Sequence, residues 1–427
     1  MASVEQQVQE PADDKDALNS PSFRRLWVAN GFRNLAGDIS TFALPITATL
    51  FLGASPLEIG LIVAVGNAGF LFLGLPAGVW IDRWNQRTVL ILADLVYGFS
   101  LVSVPAAYFF HSLTIAHLIA VSFSIGIANT FFSIAHSSIL PFILPKRLVA
   151  DANARLQTTD NAIGSVAPSL AGVLSQTIAA PYLYLMGSLL HFSSLRMIGR
   201  IDIRKSSSDN HTQRHFRTEL SEGIREIFSN QIHRLFLIQT VLNNLGAGIL
   251  MSTSAYYMLR VLHISPWLFG TLSSVGALTG VVASMLCRKL RILFGEIRMT
   301  LVFSWIAPVS VALLPLAQVF RPAATELVIA STVIGAFSLA GRAISVAGIR
   351  ARITPRKLLG RVSAANATVS MGIVVVGSLA GGAISTGFSV TFALWIALAS
   401  MTIPALWIIN SPLRSIRTLP KEWEVAD

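Results

Sequence analysis

Twelve apolar stretches, each close to the length a helix needs to cross a bilayer, constrain this sequence more than any other feature. A helix rises about 1.5 Å per residue, so about twenty mostly apolar residues span the hydrocarbon core. Such runs lie near 26–51, 57–80, 88–110, 115–140, 158–179 and 181–199, and then near 234–258, 267–287, 299–318, 325–348, 362–385 and 388–409. Only 12% of the 427 residues are charged while 53% are hydrophobic, a balance that suits lipid rather than water as solvent. The fold expected is an all-α membrane protein of twelve transmembrane helices.

The formal net charge of +11 would in a water-soluble chain point to nucleic acid, but the placement of the charges argues otherwise. Counting the loops alternately from an inside amino terminus, one side collects Arg24, Arg25, Arg83, Arg87, Lys146, Arg147, Arg155, Arg288, Lys289, Arg291, Arg298, Arg350, Arg352, Arg356, Lys357, Arg361, Arg414, Arg417 and Lys421. The other side holds Arg260 and Arg321. Positive charge marks the cytoplasmic face, so both termini are expected in the cytoplasm of a multi-pass protein of the cell membrane. The first twenty residues are polar and acidic, with no apolar stretch, and read as a cytoplasmic tail.

The two sets of six helices repeat each other at an offset of 210 residues. Ser55, Pro56 and Gly60 recur as Ser265, Pro266 and Gly270, and Gly66 as Gly276. Pro145-Lys146-Arg147-Leu148 recurs as Pro355-Arg356-Lys357-Leu358, while Ala154, Gly172 and Ser175 recur as Ala364, Gly382 and Ser385. The organisation expected is a tail at 1–20, a six-helix bundle at 21–199, a cytoplasmic linker at 200–232, a second bundle at 233–410 and a tail at 411–427. Within the linker, Leu220, Ile224, Ile227 and Phe228 share one face at helical spacing, as in a helix lying on the membrane surface. Parallel six-helix repeats hold a substrate between the halves in one large transporter fold.

Gly78-Val-Trp-Ile-Asp82-Arg83-Trp-Asn-Gln-Arg87 resembles the loop signature of the major facilitator superfamily, with Asn85 at the usual second glycine. Ala167-Pro168-Ser-Leu-Ala171-Gly172 in the fifth helix is similar to that superfamily's antiporter motif, with alanine at two glycine positions. Gly37-Asp38, Ser55-Pro56 and Asp94 are similar to the branch containing macrolide-efflux proteins and enterobactin exporters. The resemblance implies the major facilitator fold, two pseudo-symmetric six-helix bundles, and a loop signature that packs against the other half. Gly78, Asp82, Arg83, Arg87 and Asp94 are then the gating residues, with Gly78 allowing close helix approach and Asp94 pairing near the signature. Gly164, Pro168 and Gly172 thin and bend the fifth helix where the halves slide.

Asp38 is the candidate for a coupling proton. It falls about 18 Å into its apolar run, where low dielectric disfavours the charged form. The alternative is a satisfied packing partner. Asn30, Asn34, Asp38 and Thr41 form one polar stripe, and Gln239 and Asn243 lie at a similar depth of the seventh run, as a wet central cavity would require. Arg33 and Arg342 are intramembrane cations that either neutralise a buried carboxylate or meet an anionic substrate. His136 is a further cavity candidate, with packing as its ordinary reading. Asp160 reads as a cap near the start of the fifth helix.

One cysteine, scattered histidines and the absence of a Gly-x-x-x-x-Gly-Lys-Ser/Thr loop, a His-Glu-x-x-His pair or a Gly-x-Ser-x-Gly elbow argue against metal, nucleotide and hydrolase chemistry. The sequence therefore reads as a monomeric secondary transporter, not an enzyme, without a cofactor or nucleic-acid partner. Its partners are the lipid bilayer, protons and a small amphipathic substrate moved outward; uptake or uniport on the same fold is the alternative.

Overall fold

The computed structural model describes residues 16–201, 225–228 and 231–409. Twelve long helices carry these residues: α1 (Pro21–Ile46), α2 (Pro56–Arg83), α3 (Gln86–Phe109), α4 (Ile115–Ile143), α5 (Val149–Leu174), α6 (Ala180–Ile198), α7 (Gln231–Tyr256), α8 (Pro266–Phe294), α9 (Glu296–Val319), α10 (Ala324–Ile353), α11 (Arg356–Gly387) and α12 (Val390–Ile409). Among the described residues there is no strand. Among the described residues nine helices are long and apolar enough to cross a membrane by length and composition; α1, α5 and α6 fall short. α5 and α6 both pack on α1, where Asn30 and Asn34 meet Asp160 of α5 instead of lipid. The surface helix expected in the linker lies outside the described residues, except for residues 225–228, which are helical.

Helix ends follow local chemistry more than hydropathy. α1 starts at Pro21 because Ser20 accepts a hydrogen bond from the Phe23 amide and proline occupies the first turn. Ser55 and Glu58 form a capping box at the start of α2, the Ser55 amide donating to Glu58 Oε2 at 2.7 Å. The repeated Ser265 makes no such side-chain bond, and Leu268 stands where Glu58 does in the first half. Asn85, the departure from the loop signature, caps α3: its Oδ1 accepts from the Arg87 and Thr88 amides at 3.0 and 3.4 Å. α5 begins at Val149, well before the apolar run near 158, because the backbone ladder continues past the lipid boundary.

The packing repeats as the sequence does. α1 packs on α5 and α6, α2 on α4, and α3 on α4 and α6; likewise α7 packs on α11 and α12, α8 on α10, and α9 on α10 and α12. Across the halves α2 meets α11 and α5 meets α8. Even the irregular backbone recurs, since α1 and α7 run on into π turns at Thr47–Phe51 and Tyr257–Val261. Beyond each turn one residue takes positive φ, Gly53 at 65° and His263 at 55°.

The halves touch most closely at the end carrying the α1–α2 and α7–α8 turns. A Cβ on Gly60 would lie 2.6 Å from the Ser378 carbonyl, and one on Gly270 would lie 2.4 Å from the Pro168 carbonyl. Gly172 and Gly382 complete the two crossings, each against the opposing glycine. Only residues without side chains let the backbones approach so far. The Leu57 amide donates to Thr386 Oγ1 at 3.1 Å, and the Arg260 guanidinium donates to the Thr49 carbonyl through Nε at 3.1 Å. Toward the opposite end a Cβ on Gly78 or Gly360 would meet nothing within 4 Å, and neither would one on Gly280 at the middle of α8.

Candidate functional site

Between the halves lies a cavity of about 650 Å³. Asp160, Asn161 and Gly164 of α5 line one side; α8 contributes residues from Gly276 to Met285, and α10 Ala336, Leu339, Ala340 and Ala343. It lies away from the glycine crossings, along the middle of α8, where Gly280 has open space around it.

Asp160 does not cap α5; it stands more than two turns inside that helix. The α1 amides of Asn30 and Asn34 both donate to its Oδ1, the first at 2.7 Å. Trp27 Nε1 donates to Thr159 Oγ1 at 2.8 Å, fixing α1 against α5 one residue earlier. The stripe read along α1 is thus partly spent on orienting a carboxylate from another helix. Asp38 sits one turn beyond Asn34, and its Oδ2 lies 3.7 Å from where a Gly164 Cβ would be. The helical run from residue 21 to 51 has its centre at residue 36, so Asp38 is at mid-depth. It is half-buried, and among the described residues its carboxylate takes no hydrogen bond and forms no ion pair. The bare Gly164 leaves room in front of it. Thr41, further along α1, is exposed.

Arg33 faces the other way. It is buried inside the first half and ion-paired with Asp94 at 3.2 Å, Nη2 donating to Asn129 Oδ1. Its guanidinium lies 3.6 Å above the Phe132 ring, and Tyr97 lies 5.5 Å away. Asp94 also meets His191 Nδ1 at 3.2 Å and accepts from Ser194 Oγ at 2.7 Å. A fully buried carboxylate needs such partners. The structure therefore corrects two expectations: Arg33 is not a cavity residue, and Asp94 pairs with Arg33 within the bundle rather than near the loop signature. His136 stacks on Phe132 with ring centroids 5.6 Å apart, placing it beside this network.

The second half answers with neutral groups. Asn243 and Ser304 occupy the repeat positions of Arg33 and Asp94, and Gln239 Nε2 donates to Ser304 Oγ at 2.5 Å. Asn243 donates to the Gln239 carbonyl of its own helix. Both are buried within the second bundle rather than lining the cavity. Arg342 is half-buried on α10 and is not among the residues that line the cavity.

The loop signature divides. The side chains of Asp82 and Arg83 lie outside the described ones. Arg87 Nη2 donates to the Gly199 carbonyl, so it ties α3 to the end of α6 within one half. Gly78 is at no close helix approach; open space surrounds it. Gly172 and the Pro168 carbonyl stand at the α5–α8 crossing, whereas Gly164 serves the Asp38 carboxylate. Sequence reading missed the roles of Asp160, Arg260 and His191; the 210-residue repeat of Gly60 and Gly382 with Gly270 and Gly172 was the signal that could have located both crossings.

Residues 16–423 match the family of transmembrane secretion effectors. No curated protein matches the sequence. The fold is similar to that of a variant of the nucleoside transporter NupG, with TM-score 0.76 and 12% identity over 91% of this chain and 99% of that one. It is also similar to a bacterial homologue of the iron transporter ferroportin in its inward-facing state, with TM-score 0.74 and 14% identity over 93% and 99%. A D-xylose–proton symporter follows at TM-score 0.68 and 13% identity over 93% and 99%. With twelve helices in two repeating sets and a cavity between them, the chain belongs to the transmembrane secretion effectors of the major facilitator superfamily, a superfamily of transporters.

Proposed function

We propose that this transporter exports amphipathic small molecules from the cytoplasm in exchange for protons, with Asp38 as the coupling carboxylate. The observation that carries the reading is Asp38 itself: a mid-depth carboxylate without a partner among the described residues, bordering a cavity between two bundles joined mainly at one end. A carboxylate in such surroundings is driven to take up a proton and release it when water gains access. Asp94, by contrast, is paired with Arg33 inside the first bundle, away from the cavity.

The arginine-rich turns support a cytoplasmic position for the α2–α3 end. The glycine crossings and the Arg260 bond then form the outer seal, and the cavity faces inward. Similarity to the ferroportin homologue in its inward-facing state supports that reading. Bundles 21–199 and 233–410 would rock about the cavity, joined by the linker 200–232 and flanked by the tails 1–20 and 411–427. Macrolide-like or siderophore-like compounds, the substrates of the branch that Gly37-Asp38 resembles, are the first to assay.

The test is flux in proteoliposomes under an imposed pH gradient. Asp38→Asn is expected to abolish gradient-driven accumulation while leaving substrate exchange at equal concentrations intact. Gradient-driven transport that persists at the native rate in Asp38→Asn removes the assignment.

A further inference from the structure

A second polar region lies inside the first bundle, where α6 packs on α1 and α3. Tyr184, Ser188 and His191 follow one another along a single face of α6, four and then three residues apart. These three side chains and Thr47 of α1 are at most 1% exposed. Yet the Tyr184 hydroxyl, Ser188 Oγ, His191 Nε2 and Thr47 Oγ1 each lack a hydrogen-bond partner, although the hydroxyls of Tyr184 and Thr47 turn toward each other. Buried polar atoms left dry lose their hydration without return, so four in one seam require an explanation.

His191 fixes the chemistry of the inner end. Its Nδ1 meets Asp94 Oδ1 at 3.2 Å, the oxygen that also accepts from Arg33 Nε. A carboxylate paired with arginine only accepts there, so Nδ1 carries the ring proton and Nε2 of the neutral ring is an acceptor in need of a donor. Tyr97 stacks on the ring with centroids 4.0 Å apart and holds it in place. Ser188, about 4.5 Å back along the helix axis, closes no direct bond to it. The second bundle shows that the fold itself does not demand these groups. Leu394, Leu398 and Met401 stand at the repeat positions of Tyr184, Ser188 and His191 and pack in apolar clusters.

We infer that the seam between α1, α3 and α6 is a binding site for water, in which a short file of bound molecules links Thr47, Tyr184 and Ser188 to His191 Nε2. Each molecule finds there the polar partners that a buried water needs, donating to Nε2 at one end and exchanging bonds with the hydroxyls along the file. The Asp94–Arg33 pair is thereby hydrated from within its own bundle, since none of these residues lines the cavity. The inference does not depend on what the protein transports or on what drives it.

Hydroxyl-radical footprinting by synchrotron X-rays, on the purified full-length protein in heavy-oxygen water, tests it. Radiolysis of a bound water oxidises the side chain beside it even where bulk solvent is excluded. Tyr257 is the internal control: it is as buried as Tyr184, but its hydroxyl donates to the Leu314 carbonyl at 2.8 Å. Tyr184 should take up heavy oxygen several times faster than Tyr257. Equal labelling of the two tyrosines in the native protein overturns the inference, and needs no variant to fold. Ser188→Val, which removes the middle hydroxyl and fills its space, should bring Tyr184 labelling down to the level of Tyr257. Undiminished labelling of Tyr184 in that variant overturns the inference as well.

Discussion

Replacing Gly270 with alanine places a methyl carbon 2.4 Å from the Pro168 carbonyl and 3.0 Å from Gly172 Cα and the Phe42 ring. The nearest of these is backbone, so no side chain can swing aside. Ordinary van der Waals separation requires α5 and α8 to part by about 1 Å. Overpacking of this kind costs about 1–3 kcal/mol. If the contact exists only while this end is closed, the closed population falls relative to the open one by a factor of about 5 to 150, since 1.4 kcal/mol is tenfold. Spin labels at Gln176 and Phe388, in a background with Cys287 replaced, report the separation of the halves at that end by double electron–electron resonance. A longer distance should gain population in Gly270→Ala, and in Gly60→Ala, whose methyl would lie 2.6 Å from the Ser378 carbonyl. Gly78→Ala is the control, because its methyl meets nothing within 4 Å. An unchanged distance distribution in both crossing variants, or the same shift in Gly78→Ala, refutes the reasoning.

Asp94→Asn leaves the Arg33 charge buried without its counter-ion and should cost about 3–5 kcal/mol, read as a lower unfolding midpoint in detergent; the double change Arg33→Met with Asp94→Leu should recover much of it. Arg260→Ala removes a charged donor from the Thr49 carbonyl and should favour opening of that end by about 1.5–3 kcal/mol, seen with the same spin labels. Asn85→Ala should destabilise by about 1 kcal/mol, whereas Asn85→Gly, which restores the glycine usual in the loop signature, should cost only a few tenths, both read from thermal unfolding.

Helix number, the two-fold repeat and the superfamily could be read from the chain because each depends on features spread over many residues: apolar length, alternating basic turns and a constant offset. Individual partners could not be read in this way. Arg33 meets Asp94 and, through it, His191, across 61 and 97 residues of sequence, and no spacing rule links α1, α3 and α6 at one depth. Asp160 reads as a cap only if the helix starts with the apolar run near 158. Once α5 begins at Val149, the same residue is interior, opposite the α1 amides. Gly78 belongs to the stretch that resembles the loop signature, yet a Cβ there meets nothing within 4 Å, and no local pattern tells how near the neighbouring helices stand.

The repeat is kept in the scaffold and abandoned in the chemistry. Gly60 and Gly270, Gly172 and Gly382, and the two π turns all sit at matching places, because sealing one end of a two-fold bundle needs the same backbone approach on both sides. The first half's Arg33, Asp38, Asp94 and Asp160 correspond instead to Asn243, Gly248, Ser304 and Ser370. The consequence is visible where α7 crosses α11: a Cβ on Gly248 would lie 2.4 Å from the Val374 carbonyl, so that crossing closes backbone to backbone. At the matching crossing of α1 and α5, Gly164 stands where Val374 does, and the space it leaves admits the Asp38 carboxylate. The first bundle therefore holds the carboxylates nearest the cavity, while small and apolar side chains of α8 and α10 face them. In such an arrangement, proton uptake alters the charge of one wall only, and the free energy of closing the halves over a ligand changes with it.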